Sequence, residues 1–471
     1  MDNSNQKGQW GSRFGFLMAA VGSAVGLGNL WGFPYKIGKN GGFAFLLLYL
    51  VLVALVGVII MLAELSLGRK TGKGVVEAYR AAGQKHTWVG VISWISPMLI
   101  LGFYCMLGGY CIKYAVANVG DIFGASWGVG GADSATYFQN FFTNRLQTVV
   151  YTCLFVLFTV AIVRAGVSTG IEKFSVVAMP LLFFMLLIII VRSVTLPGAM
   201  AGLAFIFKPN FEVFQGTGWL SVLASASGQM FFSLSLGMAI MVTYGSYMRK
   251  EDSLEQNAIQ IPVFDTLAAV MAAMAIMPAV FAAGLDPAAG PGLLYMTLQT
   301  VFSSMGKAGP VFGFLFYFLV FVAAITSSIS LLEAVSSAVM DRNIKKGKAP
   351  NRSGVTIGIG IFIALEGSLV ALDGLGSHGF PSIFHQGTLL DAFDLVSEGL
   401  LMPIAALATA VLFGWIKKGW LDDEIKTRGQ GLQKDFGMRR YFYFCIRYIV
   451  PPVMVLVLLA QINSFFSLGW F

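Results

Sequence analysis

Between Gly22 and Asn29 the chain reads Gly-Ser-Ala-Val-Gly-Leu-Gly-Asn, followed at once by Trp31-Gly-Phe-Pro34. This segment interrupts a stretch, residues 14–62, that is otherwise long and apolar enough for two membrane crossings. In hydrocarbon no water satisfies freed backbone groups, so a helix this rich in glycine, with Asn29 inside it, has to face protein or a polar cavity. Carbonyls and N–H groups released at mid-membrane depth are what broken helices use to hold small ions and charged solutes. The segment points to a transport path.

Composition agrees. Of 471 residues 57% are apolar and 11% charged, whereas soluble domains carry about 25% charged residues. A net charge of +8 raises nucleic acid as a partner. The basic residues, however, fall in short clusters between apolar runs and form no basic stripe of the kind nucleic acid requires. Cys105, Cys111, Cys153 and Cys445 lie in apolar stretches without metal spacing and read as packing residues. The first ten residues, through Trp10, are polar. The first apolar stretch is longer than a signal peptide core, so it is expected to stay in the mature chain.

Apolar runs of about 20 residues mark helices that can span a bilayer. They fall near 14–35, 42–68, 88–118, 148–165, 172–192, 218–247, 258–284, 309–340, 354–370, 389–415 and 441–466. These predict an all-α integral membrane protein of eleven spans. Most of the 31 basic residues then lie in loops on the N-terminal side: Arg13, the Arg69–Lys85 group, Arg249, Lys250, and the groups 342–352 and 417–440. That asymmetry predicts a multi-pass protein of the inner (plasma) membrane, with the N-terminus cytoplasmic and the C-terminus outside. The long outer connections, 119–147 and 193–217, carry aromatic patches that suggest small helices.

Span six holds Phe231-Phe-Ser-Leu-Ser-Leu-Gly-Met-Ala239, five spans after the first break. An odd offset puts the two segments in opposite orientations, as inverted five-helix repeats with broken first and sixth helices require. The expected organisation is a tail over 1–11, repeats over 12–192 and 218–415, a cytoplasmic loop over 416–440, and an eleventh helix with a short tail over 441–471.

Asp265 is the sharpest single residue, because a carboxylate inside a membrane helix has to pair, bind a cation or hold a proton. Ser233 and Gln229 are candidate neighbours, and hydroxyl, amide and carbonyl oxygens suit a sodium ion. Thr326-Ser-Ser328 in span eight is a second hydroxyl cluster. Such hydroxyls also bond back to the preceding helical turn, so this signal alone is ambiguous. Tyr104, midway along span three, is a candidate partner for a substrate carboxylate. Glu64 is expected to brace the broken helices from behind. His86, His378 and His385 show no metal spacing, and no glycine–lysine phosphate loop is present. The chain therefore reads as neither an enzyme nor an ATP-driven pump. No filter motif points to a channel. The remaining rival to gradient-driven transport is a sensor or binding protein that holds its solute without translocation.

In order, Gly22–Asn29 with Phe33-Pro34, Tyr104, Gln229-x-Phe-Phe-Ser-Leu-Ser-Leu-Gly237 and Thr326-Ser-Ser328 resemble the motifs of the neurotransmitter:sodium symporter family, bacterial amino-acid branch. The resemblance runs from about Trp10 to the end of span eleven. It implies a leucine-transporter-like fold and symport of two sodium ions with a neutral, apolar or aromatic L-amino acid. A first sodium would meet the Ala24 carbonyl, Asn29, Ser233, Asp265 and the substrate carboxylate. A second would meet the carbonyls of Gly22, Val25 and Ala323 with the hydroxyls of Thr326 and Ser327. The substrate carboxylate would lie against the N–H groups of Leu27 and Gly28 and the Tyr104 hydroxyl. Its amino group would face Ala24, Phe232, Ser233 and Ser235, with Phe232 as a lid. Ile100, Tyr104, Ser235, Met238, Ala239, Ser330 and Leu331 would line the side-chain pocket.

The same resemblance implies gates at Gln229, Phe232 and Asp394 outside, and at Lys7, Trp10, Tyr247 and Asp341 inside. One position departs from the pattern: Gly32 stands where family members carry an Arg that pairs with the acid at Asp394. Phe232 packing, a basic group from elsewhere, or a polar end of the substrate would have to compensate. Chloride is not expected, because Asp265 supplies fixed negative charge where animal relatives hold that anion, and proton counter-transport through Asp265 is a corollary. Membrane lipid is an expected partner, and nucleic acid and ATP are not. One chain would hold the whole path, and no feature of the sequence specifies an oligomer.

Overall fold

The computed structural model describes residues 8–466 apart from 216–217, 288–291, 350, 385, 429–431 and 434, together with Leu468. Lys7 and His385 lie outside the described residues. The bundle-forming helices in chain order are α1 (Arg13–Ala24), α2 (Gly28–Lys39), α3 (Phe43–Thr71), α4 (Gln84–Ile122), α5 (Arg145–Arg164) and α6 (Val167–Val194). After α7 (Gly218–Ser233) and α8 (Ile240–Ser246) come α9 (Leu254–Ala282), α10 (Gly306–Lys345), α11 (Arg352–Leu372), α12 (Leu389–Ile416) and α13 (Arg439–Asn463).

Among the described residues nine of these helices are long and apolar enough to cross a membrane, and α1 with α2 forms a tenth crossing bent by 46°. The expected runs 14–35 and 218–247 are thus each split in two, α1/α2 and α7/α8. The other spans lie within a few residues of their expected bounds, including α9 and α12, whose apolar runs are interrupted by Asp265 and by Asp391, Asp394 and Glu398. Small helices do occupy the long connections, at Ser134–Phe142 and Met200–Phe207. Short helices at Val75–Ala82 and Leu298–Ser304 lie outside the expected spans.

Capping side chains start several spans by accepting an otherwise free amide. Ser12 accepts from Gly15 N–H, Asn144 from Gln147 N–H and Thr388 from Asp391 N–H. Between α7 and α8 the backbone leaves the helix: Ser235, Gly237 and Ala239 take φ values of 55°, 73° and 69°. The left-handed region costs a residue with a side chain about 1–2 kcal/mol, so surrounding contacts have to impose it here. One is direct: the Gly237 N–H donates to Glu64 Oε1 at 2.9 Å. Glu64 braces the break from α3, as its position suggested.

The most extensive helix contact is between α4 and α10, while α1 packs on α6, α9 and α10, and α8 on α3. Helices α5, α11 and α13 are peripheral, with only 33% of their most apolar stretch buried. Cys105, Cys111 and Cys445 are buried free thiols; Cys153, read as a packing residue, instead lies exposed on α5, 3.7 Å from Ser368 Oγ.

Candidate functional site

The polar centre of the bundle forms where the two breaks face α3, α9 and α10. Asp265, on α9, is fully buried, so each carboxylate oxygen needs donors from neighbouring helices. Asn29 Nδ2 donates to Asp265 Oδ1 at 2.8 Å and to its backbone oxygen at 3.1 Å. Ser233 Oγ lies 2.9 Å from both carboxylate oxygens, and the Tyr49 hydroxyl donates to Oδ2 at 3.1 Å. Asn29 Oδ1 in turn accepts from Gly26 N–H at 3.2 Å and from Ser233 Oγ at 3.2 Å. The arrangement brings together an amide oxygen, a hydroxyl and a carboxylate, an oxygen set suited to a hard monovalent cation. Gln229, a candidate neighbour of Asp265, turns elsewhere: its Nε2 donates to the Gly28 carbonyl at 2.8 Å.

A second cluster joins α10 to the end of α1. Ser327 Oγ donates toward the carbonyls of Ser23 at 3.1 Å and Gly22 at 3.3 Å. Thr326 Oγ1 bonds back to Ala323 O at 2.9 Å and Val322 O at 3.2 Å, the plain helical habit of a buried threonine. The helices touch closely here, since a Cβ on Gly22 would lie 3.2 Å from Thr326 Cβ. Val25, where α1 ends, has left helical geometry at ψ 93°.

Between these clusters a cavity is lined by Ser23, Ala24, Gly26, Gly28, Ile100, Tyr104, Phe232, Ser235, Met238, Ile240, Ser327 and Leu331. It is contracted: about 20 Å³ is reachable by the centre of a water molecule, room for about one water. The Tyr104 hydroxyl accepts from Leu27 N–H at 3.0 Å, which sets it at the break. Phe232 covers Gly28, where a Cβ would come within 2.8 Å of its ring. Ser235 Oγ donates to the Ser23 carbonyl at 3.1 Å, tying the two breaks together.

Most residues named for the pocket thus converge on one space. Ser330 and Ala239 stand outside this lining. The Ser330 hydroxyl is bonded to Tyr244 OH at 2.6 Å and to Thr326 O at 3.0 Å, and Ala239 forms the left-handed start of α8. Ser23, Gly26 and Ile240 also belong to the lining, and Ser327, expected only at an ion, faces it as well; Ser23 and Gly26 sit inside the glycine-rich break itself.

At one face of the bundle Trp10 is almost fully buried, its Nε1 donating to Tyr244 O at 3.2 Å, with edge contacts to Phe16, Tyr244 and Tyr247. Tyr247 donates to Glu333 Oε1 at 2.7 Å, and Arg352 closes on the same carboxylate. Asp341 accepts from Gly74 N–H at 2.5 Å. Glu333 and Arg352 are parts of this closure that spacing did not reveal. At the other face Lys36 Nζ lies 2.7 Å from Glu398 Oε1.

A profile of the family described as "Sodium:neurotransmitter symporter family" matches residues 7–127 and 140–470. The chain belongs to this family. It is 35% identical over 462 residues to the sodium-dependent transporter YhdH of Bacillus subtilis, covering 97% of this chain and 98% of that one. The crystal structure of MhsT in complex with L-phenylalanine superposes with a TM-score of 0.86 at 34% identity, covering 97% of this chain and all of that one. At greater distance it is 24% identical over 396 residues to the sodium-dependent nutrient amino acid transporter 1 of Drosophila persimilis, 72% of this chain and 60% of that one. As a family member the chain is a sodium-coupled symporter with the leucine-transporter fold, a multi-pass membrane protein and not an enzyme.

Proposed function

We propose that this symporter takes up a neutral, apolar or aromatic L-amino acid together with two sodium ions. The observation that carries the reading is the cavity between the two breaks. Its lining combines the glycine-rich break and the Tyr104 hydroxyl with the apolar side chains of Ile100, Met238 and Leu331, and includes no charged side chain. The amide of Leu27 and the Tyr104 hydroxyl suit an α-carboxylate, and an uncharged lining favours an uncharged side chain. MhsT, crystallised with L-phenylalanine, supports the aromatic end of that range. Since the cavity holds about one water as it stands, binding has to move Phe232 or spread the breaks, and the unbranched Met238 side chain can adapt to several shapes.

In this reading Asn29, Ser233, Asp265, the Ala24 carbonyl and the substrate carboxylate hold one sodium. Thr326, Ser327 and the Gly22, Val25 and Ala323 carbonyls hold the other. A carboxylate shared by ion and substrate couples the two, because each completes the other's site. Transport is chloride-independent, since the donors of Asn29, Ser233 and Tyr49 that would suit an anion are already turned on Asp265. The basic loops support a cytoplasmic N-terminus and an external C-terminus. The repeats occupy 12–192 and 218–415, flanked by the tail 1–11, the loop 416–440 and the last helix with its tail, 441–471.

Reconstituted protein given an inward sodium gradient accumulates labelled L-phenylalanine or L-leucine, and potassium does not replace sodium. Binding without accumulation would instead support a sensor.

A further inference from the structure

Gly32 leaves the face away from Trp10 without the arginine expected of the family, and the consequences are local. A Cβ at Gly32 would lie 3.0 Å from Gln229 Oε1, so nothing larger than hydrogen separates these two chains. That Gln229 oxygen is buried and has no hydrogen-bond partner among the described residues. The nearest cation on the same helix is one turn on: Lys36 on α2, whose ammonium pairs with Glu398 at 2.7 Å. Residues four apart share a helix face about one turn, 5.4 Å, along the axis. Glu398 bears the same relation to Asp394, four residues further along α12. Both members of the pair are thus displaced by four residues from Gly32 and Asp394.

Glu398 is held in place by more than the lysine. Its Oε1 lies 2.7 Å from where a Cβ on Gly228 would sit, so it rests directly on the backbone of α7, one residue before Gln229. The side chains of Lys36 and Glu398 are only 21% and 11% exposed, so the pair is sheltered. Asp394 lies close enough to Glu398 and Lys36 to interact with both electrostatically. The pair therefore straps α2 to α12 where Glu398 rests on α7 at Gly228.

We propose that Lys36 and Glu398 form the outer closing ion pair of this transporter, replacing the missing arginine contact, with Asp394 as an auxiliary acid. The assignment rests on the transport reading above. Closing toward the outside brings α2 against α12, and opening has to separate them. A sheltered ion pair at that seam is made only in the closed form and biases the equilibrium toward it. With Gly32 lacking a side chain, the buried Gln229 carbonyl oxygen lies against the α2 backbone with no cation beside it from that position.

The full-length chain, reconstituted and held in sodium, tests this through hydrogen–deuterium exchange, which reads the opening of each face without a substrate. In Lys36→Gln and Glu398→Gln, exchange over Phe33–Lys39 is expected to rise about tenfold, while exchange over the Trp10–Ser23 segment at the opposite face stays at the wild-type rate. Lys36→Arg, which keeps the charge, is expected to exchange as the wild type does. Asp394→Asn is expected to change it by less than about threefold, because the main bond goes to Glu398. A larger effect at Asp394 than at Glu398, no change in either Gln variant, or equal loosening of both faces would overturn the assignment. Sodium-driven uptake of L-phenylalanine is measured on the same samples. If wild-type uptake is absent, the transport reading fails, and the exchange pattern still judges the pair as a strap.

Discussion

Asn29 Nδ2 lies 2.8 Å from Asp265 Oδ1, and this contact joins the break in the first span to the one acid buried in the seventh. The asparagine is bifunctional there. It donates to a carboxylate that would otherwise be costly at this depth, and its own oxygen faces Gly26 N–H and the Ser233 hydroxyl. Replacing it removes both a stabilising donor and a proposed sodium ligand.

Asn29→Ala is therefore expected to weaken apparent sodium affinity by about tenfold or more, as loss of one oxygen ligand of a small set requires, and to cost about 1–3 kcal/mol of stability through the under-satisfied Asp265. Thr326→Ala is expected to lower sodium affinity with a smaller stability cost, because its hydroxyl bonds only within its own helix. Sodium titrations of amino-acid binding, with melting in detergent as the folding control, separate the two effects. Unchanged sodium affinity in folded Asn29→Ala protein would place the first ion elsewhere.

Glu64 and Gly237 give a second test. The carboxylate accepts the N–H of a residue held at positive φ, so removing the acceptor frees a strained turn. Glu64→Ala is expected to destabilise the protein by about 1–3 kcal/mol and to reduce uptake. Glu64→Gln, which keeps the carbonyl acceptor, is expected to retain most of both. Equal melting temperatures for the two variants would remove Glu64 from the brace.

Much of this architecture is legible without coordinates, for identifiable reasons. Glycines in an apolar run, a hydroxyl pair in the middle of another, and a lone carboxylate in a third are costly in lipid, so each marks the protein interior. Asn29, Ser233 and Asp265 were found that way, and they do meet. What stayed hidden depends on which way a side chain turns. Ser330 and Ser327 are three residues apart on one helix and equally polar, yet one is bonded to Tyr244 and the other lines the cavity. Likewise Glu333 and Arg352 are nineteen positions apart on two helices, and only the turn after α10 brings them together. The absence at Gly32 was plain in the sequence, but Lys36 was not an evident substitute until α12 placed Glu398 beside it.

Gly26 gives a steric prediction. A Cβ there would fall 2.3 Å from Ser327 Oγ and 2.5 Å from the Tyr104 hydroxyl, both at the cavity wall. Gly26→Ala is expected to displace Tyr104 from the Leu27 amide and to cut amino-acid uptake by at least about tenfold, since an error of about 1 Å in a positioning group costs far more than a peripheral contact. Gly72→Ala serves as a control: its Cβ would meet nothing within 4 Å, and any strain there comes from its φ of 61° alone, outside the bundle centre. Binding measured by equilibrium dialysis, with folding followed by melting, distinguishes pocket damage from unfolding. Wild-type affinity in Gly26→Ala would mean that Tyr104 does not position the substrate.

The proposed chloride independence and proton counter-transport are both testable at Asp265. Its oxygens are surrounded by donors from Asn29, Ser233 and Tyr49, which together would suit chloride if the carboxylate were absent. A carboxylate and a chloride sharing that space would repel one another. Uptake in gluconate medium is accordingly expected to equal uptake in chloride. Asp265→Asn removes the fixed charge and leaves the donors, so that variant is expected to gain stimulation by chloride. When sodium leaves on the inward-facing return, an uncompensated charge at this depth is expensive, and a proton taken from the inside would neutralise it. Such a proton would move outward on the return limb, so acidifying the vesicle interior is expected to speed wild-type uptake and to have no effect on Asp265→Asn. Internal pH is set by buffer loading and flux followed with labelled amino acid in both media. Full dependence of wild-type uptake on external chloride would defeat the carboxylate-for-chloride argument, and an unchanged pH response in Asp265→Asn would assign the proton to another group.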